Sequence, residues 1–330
     1  MDPFLHNLFL TKLDSSNSCS NSVSNYIETE FVLLPSLGMF FSGKYKGVKQ
    51  IKIKKLTYKE EMILTTESLY HNNLLLLELL KSTIVDQDFP IHELTLVDRD
   101  TIILWLRIGS YGSKYEMTYT CQNEDCKKKA EVVWDFSKLE FPDYSEEYLE
   151  ELKETGFISI QINKSTIRLA PMNIFREMEV NRYIKSISDS YSSKHKSTIK
   201  LLQAIKEIKE DNNYITEVEE IHKWLKLNSL SILETRKIQK IIDEISLRIT
   251  LDVESECKHC KNIEYFSLPY VDQSFFGLDI KKYKENLEDC INYLVFWGRL
   301  NYDAVLSFPV YKRRQWVDRT SENLKQLFNT

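Results

Sequence analysis

Six cysteines occur in the chain, and four of them stand in two closely spaced pairs: Cys121-Gln122-Asn123-Glu124-Asp125-Cys126 and Cys257-Lys258-His259-Cys260. The spacings are C-x4-C and C-x2-C. Two such knuckles supply four thiolates, which close a tetrahedral shell around zinc. Catalysis by zinc needs an open coordination position and a nearby general base, and four cysteines indicate neither. The expected site is therefore a structural Zn2+ held by Cys121, Cys126, Cys257 and Cys260. His259 lies inside the second pair and is expected to face outward. A lone C-x2-C also suits a redox pair, but that motif belongs at a strand-to-helix turn.

Both pairs sit between runs that alternate apolar and polar residues, the pattern of half-buried strands. Tyr115, Met117 and Tyr119 lead into Cys121, and Val132, Val133, Trp134 and Phe136 follow Cys126. Ile249, Leu251 and Val253 lead into Cys257, and Ile263, Tyr265 and Phe266 follow Cys260. Each pair is then the tip of a β-hairpin, and the two hairpins are expected to form a zinc-ribbon-like unit.

The rest of the chain reads as α+β and mostly helical. Residues 1-25 are a serine- and asparagine-rich tail too polar to bury. Over 26-113, a strand-turn-strand around Pro35-Ser36-Leu37-Gly38 is followed by helices at about 58-69 and 73-83. A third helix starts at Thr95 and is closed by Gly109. Thr57 with Glu60 has the spacing of a capping box. Residues 114-172 hold the first knuckle, an acidic helix from Ser145 to Gly156 and a second hairpin. Residues 173-247 read as a helical insertion of about four helices, one carrying Leu201, Leu202, Ile205 and Ile208. The second knuckle fills 248-278 and C-terminal helices fill 279-330, with Leu287, Ile291 and Leu294 on one face.

Composition removes several classes of function. The formal net charge is -5, which argues against a dedicated nucleic-acid binder, since phosphate neutralisation needs a clustered positive face. No apolar run reaches the roughly 20 residues of a membrane helix, and no secretory signal is read at the N-terminus. Phosphate-binding glycine loops, nucleophile elbows and metalloprotease helices are absent. The carboxylates of 146-154 read as a solvated face and His222 as structural. Cys19 and Cys290 are spare thiols. No enzymatic activity or small-molecule substrate is expected.

Leu34-Pro35-Ser36-Leu37-Gly38, then Ile51 to Glu61, then Ile103-Leu104-Trp105-Leu106-Arg107 resemble, in that order, the baseplate hub and hub-assembly proteins of T-even-like tailed bacteriophages. The resemblance resumes at Cys257 to Gly277 and again at Phe308 to Arg314. It implies a structural or assembly protein of the hub of a contractile tail's baseplate, whose partners are other hub or tail proteins. Its place is then the virion tail baseplate, or the host cytoplasm during assembly. The resemblance carries no metal site, so zinc rests on the cysteines alone. The alternative from the knuckles alone is a zinc-ribbon nucleic-acid-binding regulator.

Overall fold

Residues 28-71, 74-187, 195-228, 230-268, 273-276 and 280-328 are described by the computed structural model, and the expected tail over 1-25 lies outside them. Strands β1 (Thr29–Leu33) and β2 (Gln50–Lys54) pair antiparallel, with Val32 opposite Ile51 and both buried. The turn into helix α1 (Tyr58–Leu64) is the expected box: the Thr57 amide and hydroxyl both donate to the Glu60 carboxylate, at 2.9 and 2.6 Å. Where one helix was expected over 58-69, the chain breaks after Leu64 and resumes as α2 (Glu67–His71). The hydroxyls of Thr65 and Thr66 both return to the carbonyl of Met62, at 3.2 and 2.7 Å, and compete with helix continuation. Helix α3 (Leu75–Thr83) buries five of its leucines.

Helix α4 (Leu96–Tyr111) starts at a second box, in which the Thr95 hydroxyl accepts from the Asp98 amide at 3.3 Å and donates to the Asp98 carboxylate at 2.7 Å. It does not stop at Gly109, as expected, but at Gly112, whose φ of 89° is the conformation a helix terminator supplies. Gly109 serves a close approach instead, because a β-carbon there would lie 3.2 Å from the Glu30 carboxylate. The first knuckle follows as β3 (Lys114–Thr120) and β4 (Lys129–Asp135). The acidic helix α5 (Glu146–Thr155) ends on left-handed Gly156, as the sequence predicts.

The segment expected to be a helical insertion of about four helices has four among the described residues, and two strands besides. Strands β5 (Ile158–Ile162) and β6 (Ser165–Leu169) form the expected hairpin, and helices α6 (Ile174–Ile187) and α7 (Lys196–Ala204) follow. The chain then turns into β7 (Ile205–Glu210) and β8 (Asn213–Ile215), completing a four-stranded antiparallel sheet in the order β5-β6-β7-β8. Ile205 and Ile208 are three residues apart, which is a helical spacing and puts them on opposite faces of a regular strand. A β-bulge between Arg168 and Leu169 in the pairing with β7 shifts the register by one, and both isoleucines end fully buried. Helices α8 (Val218–Leu227) and α9 (Ile232–Ile245) close over this sheet.

After β9 (Asp252–Glu256) and β10 (Ile263–Ser267) of the second knuckle come α10 (Gln273–Phe276), α11 (Ile280–Phe296), α12 (Tyr302–Ser307) and α13 (Val310–Phe328). Three cores result. The first unites β1, β2, α1 to α4 and both knuckle hairpins, the second lies between the four-stranded sheet and α5 to α9, and the third is formed by α11 to α13 against Tyr58 and Met62 of α1. The first two are stitched by Leu96 N to Met172 O and Ile174 N to Leu94 O, both 3.0 Å, and by the Arg99–Glu177 pair at 2.6 Å. The third is fastened to the first by a buried ion pair: Glu61, fully buried, accepts from Arg313 and from the Tyr283 hydroxyl.

Candidate metal centre

Alternation in β3 and β4 sends Tyr119, Ala130, Val132 and Trp134 inward, and the hairpin reaches Cys121 and Cys126 at its tip. Within the tip, the Cys126 and Lys127 amides both donate to the Asn123 carbonyl, at 3.0 and 3.2 Å, and Asn123 Oδ1 accepts from the Asp125 amide at 3.0 Å. That turn absorbs the two extra residues of the C-x4-C spacing. In the second tip the Cys257 amide donates to Asn262 and the Lys261 amide to the Cys257 carbonyl, both at 2.9 Å. The residue after each pair is left-handed, Lys127 at φ 45° and Lys261 at φ 63°. The two knuckles therefore share one local plan.

The hairpins meet tip to tip. Cys121 Sγ lies 3.5 Å from Cys260 Sγ, and Cys126 Sγ lies 3.9 Å from Cys257 Sγ. All four sulfurs lie within 4.8 Å of one another. A tetrahedron of thiolates about 2.3 Å from a zinc ion has sulfur-to-sulfur edges of about 3.8 Å, so the spacing suits one bound ion. Cys121 and Cys257 are fully buried, and Cys126 and Cys260 half-buried. His259 is exposed, as expected. Cys290 lies in the third core, away from this group.

Electrostatics of the cluster favour a cation. The Cys260 and His259 amides, which point at Cys257, bring that thiol down to about 7. Burial pushes Cys121 up to about 12, reinforced by Cys260, Cys257 and the neighbouring Glu264 carboxylate. Cys126 is also raised; the Lys128 amide lowers it, but burial and the thiols Cys260 and Cys257 outweigh that. Four thiols so close cannot all ionise alone, whereas a divalent cation stabilises all four as thiolates and releases their protons.

One further residue positions the cysteines and was not singled out in the sequence. Glu264, buried on β10, accepts from the Gln122 amide at 2.8 Å and so clamps the second hairpin onto the first knuckle. That amide contact is the main reason its carboxyl is held below the ordinary glutamate range. Trp134 Nε1 donates to the Leu251 carbonyl at 2.9 Å, and Tyr119 packs on Phe266 with ring centroids 4.6 Å apart. The alternation of β10 runs opposite to its most apolar reading: Glu264 and Phe266 turn inward, while Ile263 and Tyr265 are exposed. The inward phase was visible in Phe266 and in the bare fact that a carboxylate two residues before it shares its face.

Four sulfurs from two hairpin tips, all within 4.8 Å of one another, form a group that could hold one metal ion. The family described as "T4 bacteriophage base plate protein" matches residues 28–276, a span that takes in both knuckles. The chain belongs to that family. It is thus a phage baseplate protein of the virion tail, with other tail or baseplate proteins as its neighbours. No curated protein and no solved structure matches the chain. Among the described residues no helix is long and apolar enough to cross a membrane.

Proposed function

We propose that this protein is a structural or assembly component of the baseplate hub, that it works through protein–protein contacts without catalysis, and that its four cysteines hold one structural zinc ion. The observation that carries the reading is the coincidence of the family match over 28–276 with a closed four-sulfur cluster inside it. Four thiolates favour zinc over hard cations. The ion's role is to fix two hairpins of the first core whose cysteines are 131 and 139 residues apart in sequence, which pins together the two ends of the chain segment that builds the second core.

The nucleic-acid alternative needs a basic surface around the knuckles. Lys258 and Lys261 are instead paired with Glu131 and Glu256, at 3.2 and 2.7 Å, and Asp252 and Glu254 are exposed on the same sheet. Capture of the full chain from infected cells tests the hub reading: hub subunits are expected to co-purify, and interruption of the gene is expected to stop tail assembly. Normal tails without the protein refute it.

A further inference from the structure

Two of the small sheets end in open edges, and the edges match each other. In β1, the Leu34 amide bonds Lys49 at 2.8 Å and the Lys55 amide bonds Glu28 at 3.1 Å. By antiparallel alternation, Glu30 and Val32 then face β2, and the amides and carbonyls of Thr29, Phe31 and Leu33 point away from it. In β10, Cys257 bonds Asn262 at 2.9 Å and Leu268 bonds Leu251 at 3.1 Å. Ile263, Tyr265 and Ser267 therefore point their amides and carbonyls away from β9. Among the described residues none of these outward groups has a partner. Edges of this kind are usually blunted by charge, proline or cover. Here they carry exposed apolar side chains, Phe31 at 61% and Tyr265 at 76%.

We propose that β1 of one molecule pairs antiparallel with β10 of a second copy, joining the two hairpins into a four-stranded sheet across the interface. On each edge it is the outward-facing residues whose backbone groups meet the open side. The two edges can therefore join with their outer faces flush only in the antiparallel sense. In the register that aligns them end to end, Thr29 meets Ser267, Phe31 meets Tyr265 and Leu33 meets Ile263, each a hydrogen-bonded pair.

Charge on the strands behind completes the match. Lys52 stands opposite Phe31 on β2, whereas Asp252 and Glu254 stand opposite Ser267 and Tyr265 on β9; Lys54 and Glu256 lie in the same rows but are already paired with Glu60 and Lys261. The Lys52 ammonium already leans over the Phe31 ring, 5.9 Å from its centroid. The joined sheet runs basic, apolar, apolar, acidic, so a second copy meets each edge with the complementary charge. Because the two surfaces differ, the contact is heterologous and propagates into a ring if its rotation closes, or into a filament if it does not.

Sedimentation velocity of the full chain across a concentration series tests this. Wild-type protein is expected to self-associate reversibly, less so at high salt. Phe31→Glu spoils only β1, and Tyr265→Lys only β10, and both side chains are exposed enough to spare the fold, which circular dichroism checks. Each variant alone is expected to lose association by at least about tenfold. Mixed in equal amounts they retain one intact edge each, and a one-to-one complex is expected. A wild type that stays monomeric, a Tyr265→Lys variant that associates like wild type, or a mixture that forms no complex each overturns the pairing.

Discussion

Removing the proposed zinc ion is expected to be the perturbation with the largest consequence. Cys126 and Cys257 are 131 residues apart, and the four sulfurs already lie within 4.8 Å of one another. Bound zinc therefore acts on the unfolded chain much as a cross-link closing a loop of that length. By the chain-entropy relation for a closed loop, such a link is worth about 5 kcal/mol at room temperature. Stripping the ion is expected to lower the unfolding free energy by about that amount. Urea unfolding of the zinc-loaded and chelator-treated protein measures the difference, alongside metal quantification expected to give one zinc per chain. Cys257→Ser is expected to lose most of the same stability, while Cys290→Ser, in the third core, keeps full metal content. Protein that contains no zinc, or that unfolds at the same urea concentration with and without it, would refute both the site and the cross-link reasoning.

Two other buried groups give measurable signatures. Arg313→Met leaves the Glu61 carboxylate buried without its cation and is expected to destabilise by roughly 3–5 kcal/mol in thermal or urea unfolding. Adding Glu61→Gln to that variant is expected to recover most of the loss. His222 is buried against α8's neighbours with Nδ1 2.9 Å from the Tyr183 hydroxyl. Burial first, then Lys226, holds its pKa below the ordinary value. The unfolded chain therefore takes up this proton before the folded one. The stability His222 contributes is complete above about pH 6.5 and is lost as pH falls through the lower folded value. Stability measured between pH 7 and 5 is expected to fall less steeply in His222→Gln than in wild type, and equal slopes would remove the assignment.

What was legible in the sequence was mostly local chemistry. The paired cysteines, the boxes at Thr57 and Thr95 and the glycine after α5 are signals carried within a few residues, and each took its expected form. That the two knuckles meet is a long-range fact that spacing suggests and only the fold provides. β7 was hidden because an extra residue of its own, Lys206, bulges out opposite the Arg168–Leu169 step and makes a three-residue spacing serve a strand. Glu264 was hidden because a buried carboxylate has no periodic signature, only the amide of Gln122 waiting for it. The helix break after Leu64 depends on two threonine hydroxyls choosing their own backbone.

The ion pair between Glu61 and Arg313 joins a residue inside the family span to one beyond its end at 276. Substitutions at the two positions are therefore expected to be coupled. A relative that has shed the last helices and keeps a glutamate at the position of Glu61 is expected to leave that carboxylate without Tyr283 and Arg313. The residue that such a relative carries there is therefore a test of the coupling, with a neutral side chain expected in place of the glutamate.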